Sequence, residues 1–372
     1  MRTLVSFIVL LAICADLLSA QRRKRGKKGE EEEITQTLEI PKDPPAAVAG
    51  DPQRFTYFTA PLSSKGLLSQ QTRDGLKALR RMVRGASILK IRAFVAGTGD
   101  LRRVQAIVSD QFTDWHQQIP ALTTILVGGL PMEGAQVLLE AIASDKKPVN
   151  PHGIVLFSGQ QVTSKEPLEK IEPLFRQSLD NLATAVKGVG MTNADVLRIT
   201  CFSSTLGDHG QQRQLLVERF PKAQHTIVQV LRGLTTGLVE CEAVGRAAAN
   251  PGAPMKTVNP AGLEPSPNYS QAVIVSAPKV ILTGGQMAFR AEPDDIRLAF
   301  ERLGKSLEQA GGNLKNSAMT SYYPLATSTI DKIRQIRFEF LDKSQPPAST
   351  MLLFEGLPSM DASFVMEVVA LP

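Results

Sequence analysis

Few side chains in this sequence have the type and spacing to do chemistry unaided. The four histidines, His116, His152, His209 and His225, are scattered without an HxxxH spacing, and no CxxC pair exists, so neither a metal site nor a cofactor site is indicated. GxSxG and the phosphate-cradling P-loop are both absent. Cys14 sits in an apolar N-terminal run. Cys201 and Cys241 remain, either as a disulfide that export would permit or as two small core residues. Arg22 to Lys28 carries six positive side chains beside the four acids Glu30 to Glu33. That pairing reads either as an arm for anionic polymers or lipid heads, or as a solvated tail whose blocks partly neutralise each other. The arm accounts for two units of the net charge of +6, leaving a nearly neutral body without a nucleic-acid footprint. Aromatic content of 5% also argues against base-stacking platforms.

The elements that must position any site are clearer. Residues 1–20 have a positive start, an apolar stretch from Leu4 to Ile13 and a small-residue end at Ala20. This is the pattern of a secretory signal peptide, too short to span a bilayer. The expectation is a secreted or periplasmic protein without stable membrane insertion. Three helical stripes then share one spacing: Thr72, Leu76, Leu79, Val83, Ala86; Phe175, Leu179, Leu182, Val186, Val189; and Ile296, Phe300, Leu303, Leu307, Ala310. Steps of four and three place each set on one buried helix face. A strand-like run follows each stripe (Ile88–Val95, Val196–Phe202, Ser317–Tyr323), then a second helix (Leu101–Phe112, His209–Phe220, Thr329–Leu341), then two more strands. A strand also leads into each helix: Phe55–Thr59, Ile154–Phe157 and Val280–Leu282. The fold class is therefore α+β in three tandem repeats, at 50–144, 150–247 and 267–372. Residues 21–49 read as charged disordered tail and linker, and 248–266 as a flexible connector without periodicity.

These repeats resemble the RidA/YjgF (Rid) family. Asn268-Tyr269-Ser270-Gln271-Ala272-Val273 with Val280-Ile281-Leu282-Thr283-Gly284-Gly285-Gln286 resembles its N-terminal signature. Phe175-Arg176-Gln177-Ser178-Leu179 resembles its first helix, and Val239-Glu240-Cys241-Glu242-Ala243-Val244 its last strand. The resemblance implies three chorismate-mutase-like units closing as a monomeric intramolecular pseudo-trimer, with pockets at the unit interfaces. It also implies hydrolysis of reactive imines and enamines, with an Arg gripping the substrate carboxylate and a Glu helping to place water.

By this resemblance the catalytic candidates are Glu140, Glu242, Glu367 and His225. The substrate-binding candidates are Tyr269, Ser158, Gly159, Gln160, Gly284, Gly285, Gln286 and Ser349. The Arg position holds Leu122, His225 and Ser349 in the three repeats, so the Arg is replaced each time. The expected function is binding of a small carbonyl- or imine-type ligand with the deaminase activity lost or weak. The alternatives are a working hydrolase pocket combining His225 and Glu242 with Tyr269 or Ser158, and a structural or interaction module. Each candidate also has a purely structural reading: strand-end acceptors for the glutamates, tight turns for the glycines, core packing for Tyr269.

Overall fold

The structure, a computed structural model, describes residues 42–97, 99–231 and 236–372. The leader expected at 1–20 and residues 21–41 of the charged tail expected at 21–49 lie outside the described residues. Among the described residues, sixteen strands and six α-helices form an α+β fold with three mixed sheets. Among the described residues, no helix is long and apolar enough to cross a membrane.

The first sheet contains β2 (Phe55–Thr59), β3 (Ser87–Ala96), β4 (Ala121–Val127) and β5 (Val137–Ser144), in the order β2-β5-β3-β4. The second is built on β6 (Ile154–Pro167), β7 (Val196–Ser203), β8 (Gln224–Gln229) and β9 (Thr236–Arg246), in the order β6-β9-β7-β8. The third uses β12 (Val280–Thr283), β13 (Gln286–Phe289), β14 (Ser317–Pro324), β15 (Ala348–Met351) and β16 (Ala362–Ala370). In it β12 and β13 both pair with β16, which pairs with β14, which pairs with β15. In all three sheets the long strand that comes last in sequence (β5, β9, β16) lies antiparallel between its neighbours, and one pair is parallel (β3–β4, β7–β8, β14–β15).

Each sheet carries two helices on one face: α1 (Leu68–Met82) and α2 (Leu101–Asp114), α3 (Glu172–Gly188) and α4 (His209–Arg219), and α5 (Pro293–Gln309) and α6 (Thr327–Ile336). The predicted stripes are the buried faces: Leu76 and Leu79, Phe175 to Val186, and Ile296 to Leu307 pack on their own sheets. Local chemistry sets the helix ends. Asp100 accepts from the Arg102 and Arg103 amides, Asp208 accepts from Gln211, and Gly190 and Gly311 take positive φ just past α3 and α5.

The opposite faces of the three sheets meet one another. One apolar cluster there gathers Phe55, Tyr57, Ile154, Leu156, Val244, Leu282 and Met319 from all three sheets. A second gathers Phe94, Phe202, Leu138, Leu238, Tyr323, Phe354 and Val365, with Phe202 edge-on to Phe94 and to Phe354 at 6.0 and 5.5 Å.

Three sequence readings need correction. Residues 47–49 are not tail: with Gly50 they form β1 (Ala47–Gly50), which extends the third sheet by pairing with β12. The connector at 248–266 contains β10 (Met255–Val258), which pairs with β11 (Ala272–Val275). Finally, β11, which the sequence reading assigns to the third repeat, is not part of the third sheet. It pairs with β6, placing the Tyr269 segment beside the second sheet. A strand's pattern shows that it needs an edge to pair with, and these edges belong to distant parts of the chain.

Candidate functional site

The three predicted glutamates occupy one register position. Glu140 on β5 faces Arg92 on β3, Glu242 on β9 faces Thr200 on β7, and Glu367 on β16 faces Ser321 on β14. Side chains two apart on a strand share a face. Ile142, Val244 and Val369 next along these strands join one apolar cluster, and Leu138 and Val365 on the other side join the second. The glutamates thus form a layer between the clusters, where the three sheets meet.

Cations that the sequence reading passed over hold that layer. Arg92 donates through Nε and Nη2 to Glu140 Oε2 at 2.9 and 2.7 Å, and through Nη2 to Glu242 Oε1 at 2.8 Å. Lys90 Nζ donates to Glu367 Oε2 at 2.6 Å, to Thr123 Oγ1 at 2.7 Å and to the Thr283 carbonyl. Arg198 approaches Glu140 and Glu242 to 3.8 and 3.6 Å. Hydroxyls from all three sheets also donate to the carboxylates: Thr123 to Glu367, Thr200 to Glu140 at 2.6 Å, Thr350 to Glu242 at 2.6 Å and Tyr323 to Glu367 at 2.8 Å. Glu140 and Glu242 are almost wholly buried. Burial pushes the Glu140 carboxyl up, but Arg92, then Arg198 and the Thr200 hydroxyl, overcome this and hold it below its usual range. Against the same burial, Lys90 and Arg92 hold Glu367 at about 2. Burial in turn lowers Lys90. Charges so paired and hydrogen-bonded stay ionised and fixed.

The remaining predicted residues lie where one sheet's turn meets another sheet's parallel edge strand. The Gly285 amide donates to the Leu122 carbonyl at 2.9 Å, joining the third sheet to the first. A Cβ on Gly284 would stand 3.0 Å from that carbonyl. A cavity of about 660 Å³ opens there, lined by Leu122, Gly284, Gly285, Gln286, Arg102 and Phe289 among others. The Ser349 amide donates to Ser158 Oγ at 2.8 Å, joining third to second. Thr226 Oγ1 lies 3.3 Å from Thr59 Oγ1, joining second to first.

His225 and Ser158 therefore belong to different interfaces, so the structure does not bring together the pocket expected from that pair. Adjacent to inward-facing Thr226, His225 points to the other side of β8 from the Glu242 layer. Its Nε2 lies 2.9 Å from the Phe220 carbonyl, and burial lowers its pKa. Gln160 is tied to Ser158 O and Gln271, and its carbonyl accepts from Ser178. Tyr269 is half-buried, and burial, with Glu240 nearby, raises its hydroxyl.

Glu240 is the functional candidate the sequence reading missed. It lies two residues before Glu242 on the same face, on the second-to-third interface. Gln161 Nε2 donates to it at 2.8 Å, and the Met351 amide also hydrogen-bonds it. Gly159 is required beneath it, since a Cβ there would fall 1.9 Å from Glu240 Oε1. Burial, reinforced by Glu242, pushes its carboxyl up to about 8, against the hydrogen bond from Gln161. The sequence signal was the Glu-x-Glu spacing in an otherwise apolar strand. Cys201 and Cys241, left open by the sequence, face each other across β7 and β9 as a disulfide.

No family model and no curated protein matches the chain. Solved structures match it in part. A Rid-family protein from Yersinia pestis is 19% identical over 32% of this chain and 98% of its own, with a TM-score of 0.28. A YjgF/YER057c/UK114-family member from Mycobacterium tuberculosis is 20% identical over 31% and 98%, with a TM-score of 0.23. A YjgF-family member from Neisseria meningitidis is 13% identical over 31% and 92%, with a TM-score of 0.23.

Proposed function

We propose that this chain is an exported protein of three tandem Rid-like units, at 50–144, 150–247 and 267–372, closed as a monomeric pseudo-trimer. It binds small carbonyl- or imine-type metabolites, and the imine deaminase activity implied by its sequence resemblance is lost or weak. One observation carries this reading. Glu140, Glu242 and Glu367 are locked into an ion-paired layer, while Leu122, in place of the carboxylate-gripping Arg, lines the interface cavity of about 660 Å³. Losing a bidentate charged contact costs on the order of 2–4 kcal/mol, roughly 30- to 1000-fold in affinity. The test is keto-acid release from imines generated by an amino-acid oxidase. The expected rate is that of the uncatalysed reaction, and robust acceleration would overturn the reading.

A second reading is favoured by Glu240 alone. A buried carboxyl near neutrality, beside Gly159 and the Met351 amide, has the protonation behaviour of a general acid or base. If a hydrolytic pocket operates, it lies at the second-to-third interface. Glu240→Gln then abolishes turnover and Glu242→Gln does so only through loss of folding.

A further inference from the structure

Arg198 is set apart from its neighbours in the ionic layer. Its residue is 92% buried, at 8% relative exposure, yet its guanidinium makes no hydrogen bond to any described residue, and its Nε has no partner. The nearest carboxylate oxygens, at 3.6 and 3.8 Å, lie beyond hydrogen-bond reach and already accept from Arg92. The Tyr57 ring is 5.5 Å from the guanidinium carbon. Buried guanidinium donors are rarely left unsatisfied, because the full desolvation cost then stands against the fold.

Arg198 lines a chamber where the three sheets meet. Its volume is about 50 Å³ and its walls are mostly apolar, including Phe55, Ile142, Ile154, Leu156 and Val244. That is room for roughly three or four water-sized groups, but buried water needs two to four polar partners each. Beyond Arg198, the polar lining is the ionic layer, whose members already pair with one another, and the side chains of Tyr57, Thr283 and Ser321. An occupant held at Arg198 meets these few polar groups on one side and hydrocarbon over most of the remaining wall. The charge count points the same way. Lys90, Arg92 and Arg198 balance Glu140, Glu242 and Glu367, so a bound anion would leave an uncompensated buried charge. The occupant that suits the chamber accepts hydrogen bonds, carries no charge and has a small apolar body. Ile142 and Val369, both on the wall, are only half-buried.

We propose that this axial chamber is a second ligand site, separate from the interface cavity, in which Arg198 holds the oxygen of a small neutral ketone or aldehyde. The proposal does not depend on the fate of the deaminase activity. The test is titration of the full chain with 2-butanone and, separately, acetate, followed by ligand-observed NMR, in wild type and Arg198→Met. Saturable binding of 2-butanone that weakens at least tenfold in Arg198→Met supports the site. Binding that persists unchanged in the variant, acetate binding in preference to the ketone, or no saturable binding of 2-butanone overturns it. Should Arg198→Met fail to fold, a wild-type crystal soaked in 2-butanone decides: ketone density within hydrogen-bond distance of Arg198 supports the site, and ordered water alone refutes it.

Discussion

Arg92 presents Nε and Nη2 to the same oxygen of Glu140, at 2.9 and 2.7 Å, while Nη2 also reaches Glu242 on another sheet. One guanidinium therefore fastens two sheets through their carboxylates. Replacing Arg92 by Met leaves two buried carboxylates short of their main counter-charge. Breaking a buried pair in this way costs about 3–5 kcal/mol. Equilibrium denaturation in urea should show a loss of that order, and a loss under 1 kcal/mol would contradict the assigned network.

Acid should reach the fold through Glu367. Its carboxyl is held at about 2 when folded, below the unfolded value of about 4.3. A depressed acid contributes stability that is present above the unfolded pKa and is lost as pH falls through the folded one. Stability should therefore decline between about pH 5 and pH 2, and Glu367→Gln, less stable at neutral pH, should show a shallower decline.

Glu240 has the opposite sign. Its folded carboxyl, raised to about 8, keeps its proton where the unfolded chain has lost it. Its stability contribution is complete below about pH 4 and is lost as pH rises through 8. Glu240→Gln keeps the shape without the charge. It should be more stable than wild type at pH 9 and should flatten the stability profile between pH 5 and 8, as read by denaturation at each pH.

The Gly159 contact allows a paired test. Gly159→Ala puts a methyl 1.9 Å from Glu240 Oε1 if nothing moves, so the carboxyl must be displaced from its hydrogen bonds. The single variant should lose about 1–3 kcal/mol, the range for overpacking. Adding Glu240→Ala should recover part of that loss, and strict additivity of the two changes would show that they do not interact.

The Cys201–Cys241 bridge closes a separation of 40 residues. Removing it as Cys201→Ala with Cys241→Ala should cost about 2–4 kcal/mol, most of it through a less constrained unfolded chain. Thiol titration of the unreduced denatured protein should find neither cysteine free.

Much of this was legible in sequence where the determinants are local. The four-three stripe of Phe175 to Val189 needs only a helix and a face, and α3 buries that face. The run Phe55–Thr59 is a strand with the expected ends. What failed to show was partnership. Ala47–Gly50 and Ala272–Val275 find their edges on sheets far along the chain, and nothing in four residues encodes which edge. The glutamate positions were also visible, but their destination was not. Glu140 and Glu242 turn inward with Lys90 and Arg92, whose counter-charges lie on other strands. Glu240 went unnoticed because a carboxyl's environment, rather than its spacing, makes it a neutral acid.

The ionic layer is unequally stocked. The first sheet supplies Lys90, Arg92 and Glu140, the second Arg198 and Glu242, and the third Glu367 alone. A ring made from three copies of the first sheet would hold twice as many cations as carboxylates, and one made from the third would hold carboxylates only. Neither could neutralise its own centre. The layer is neutral only where all three sheets meet, so its charge balance ties each sheet to the other two.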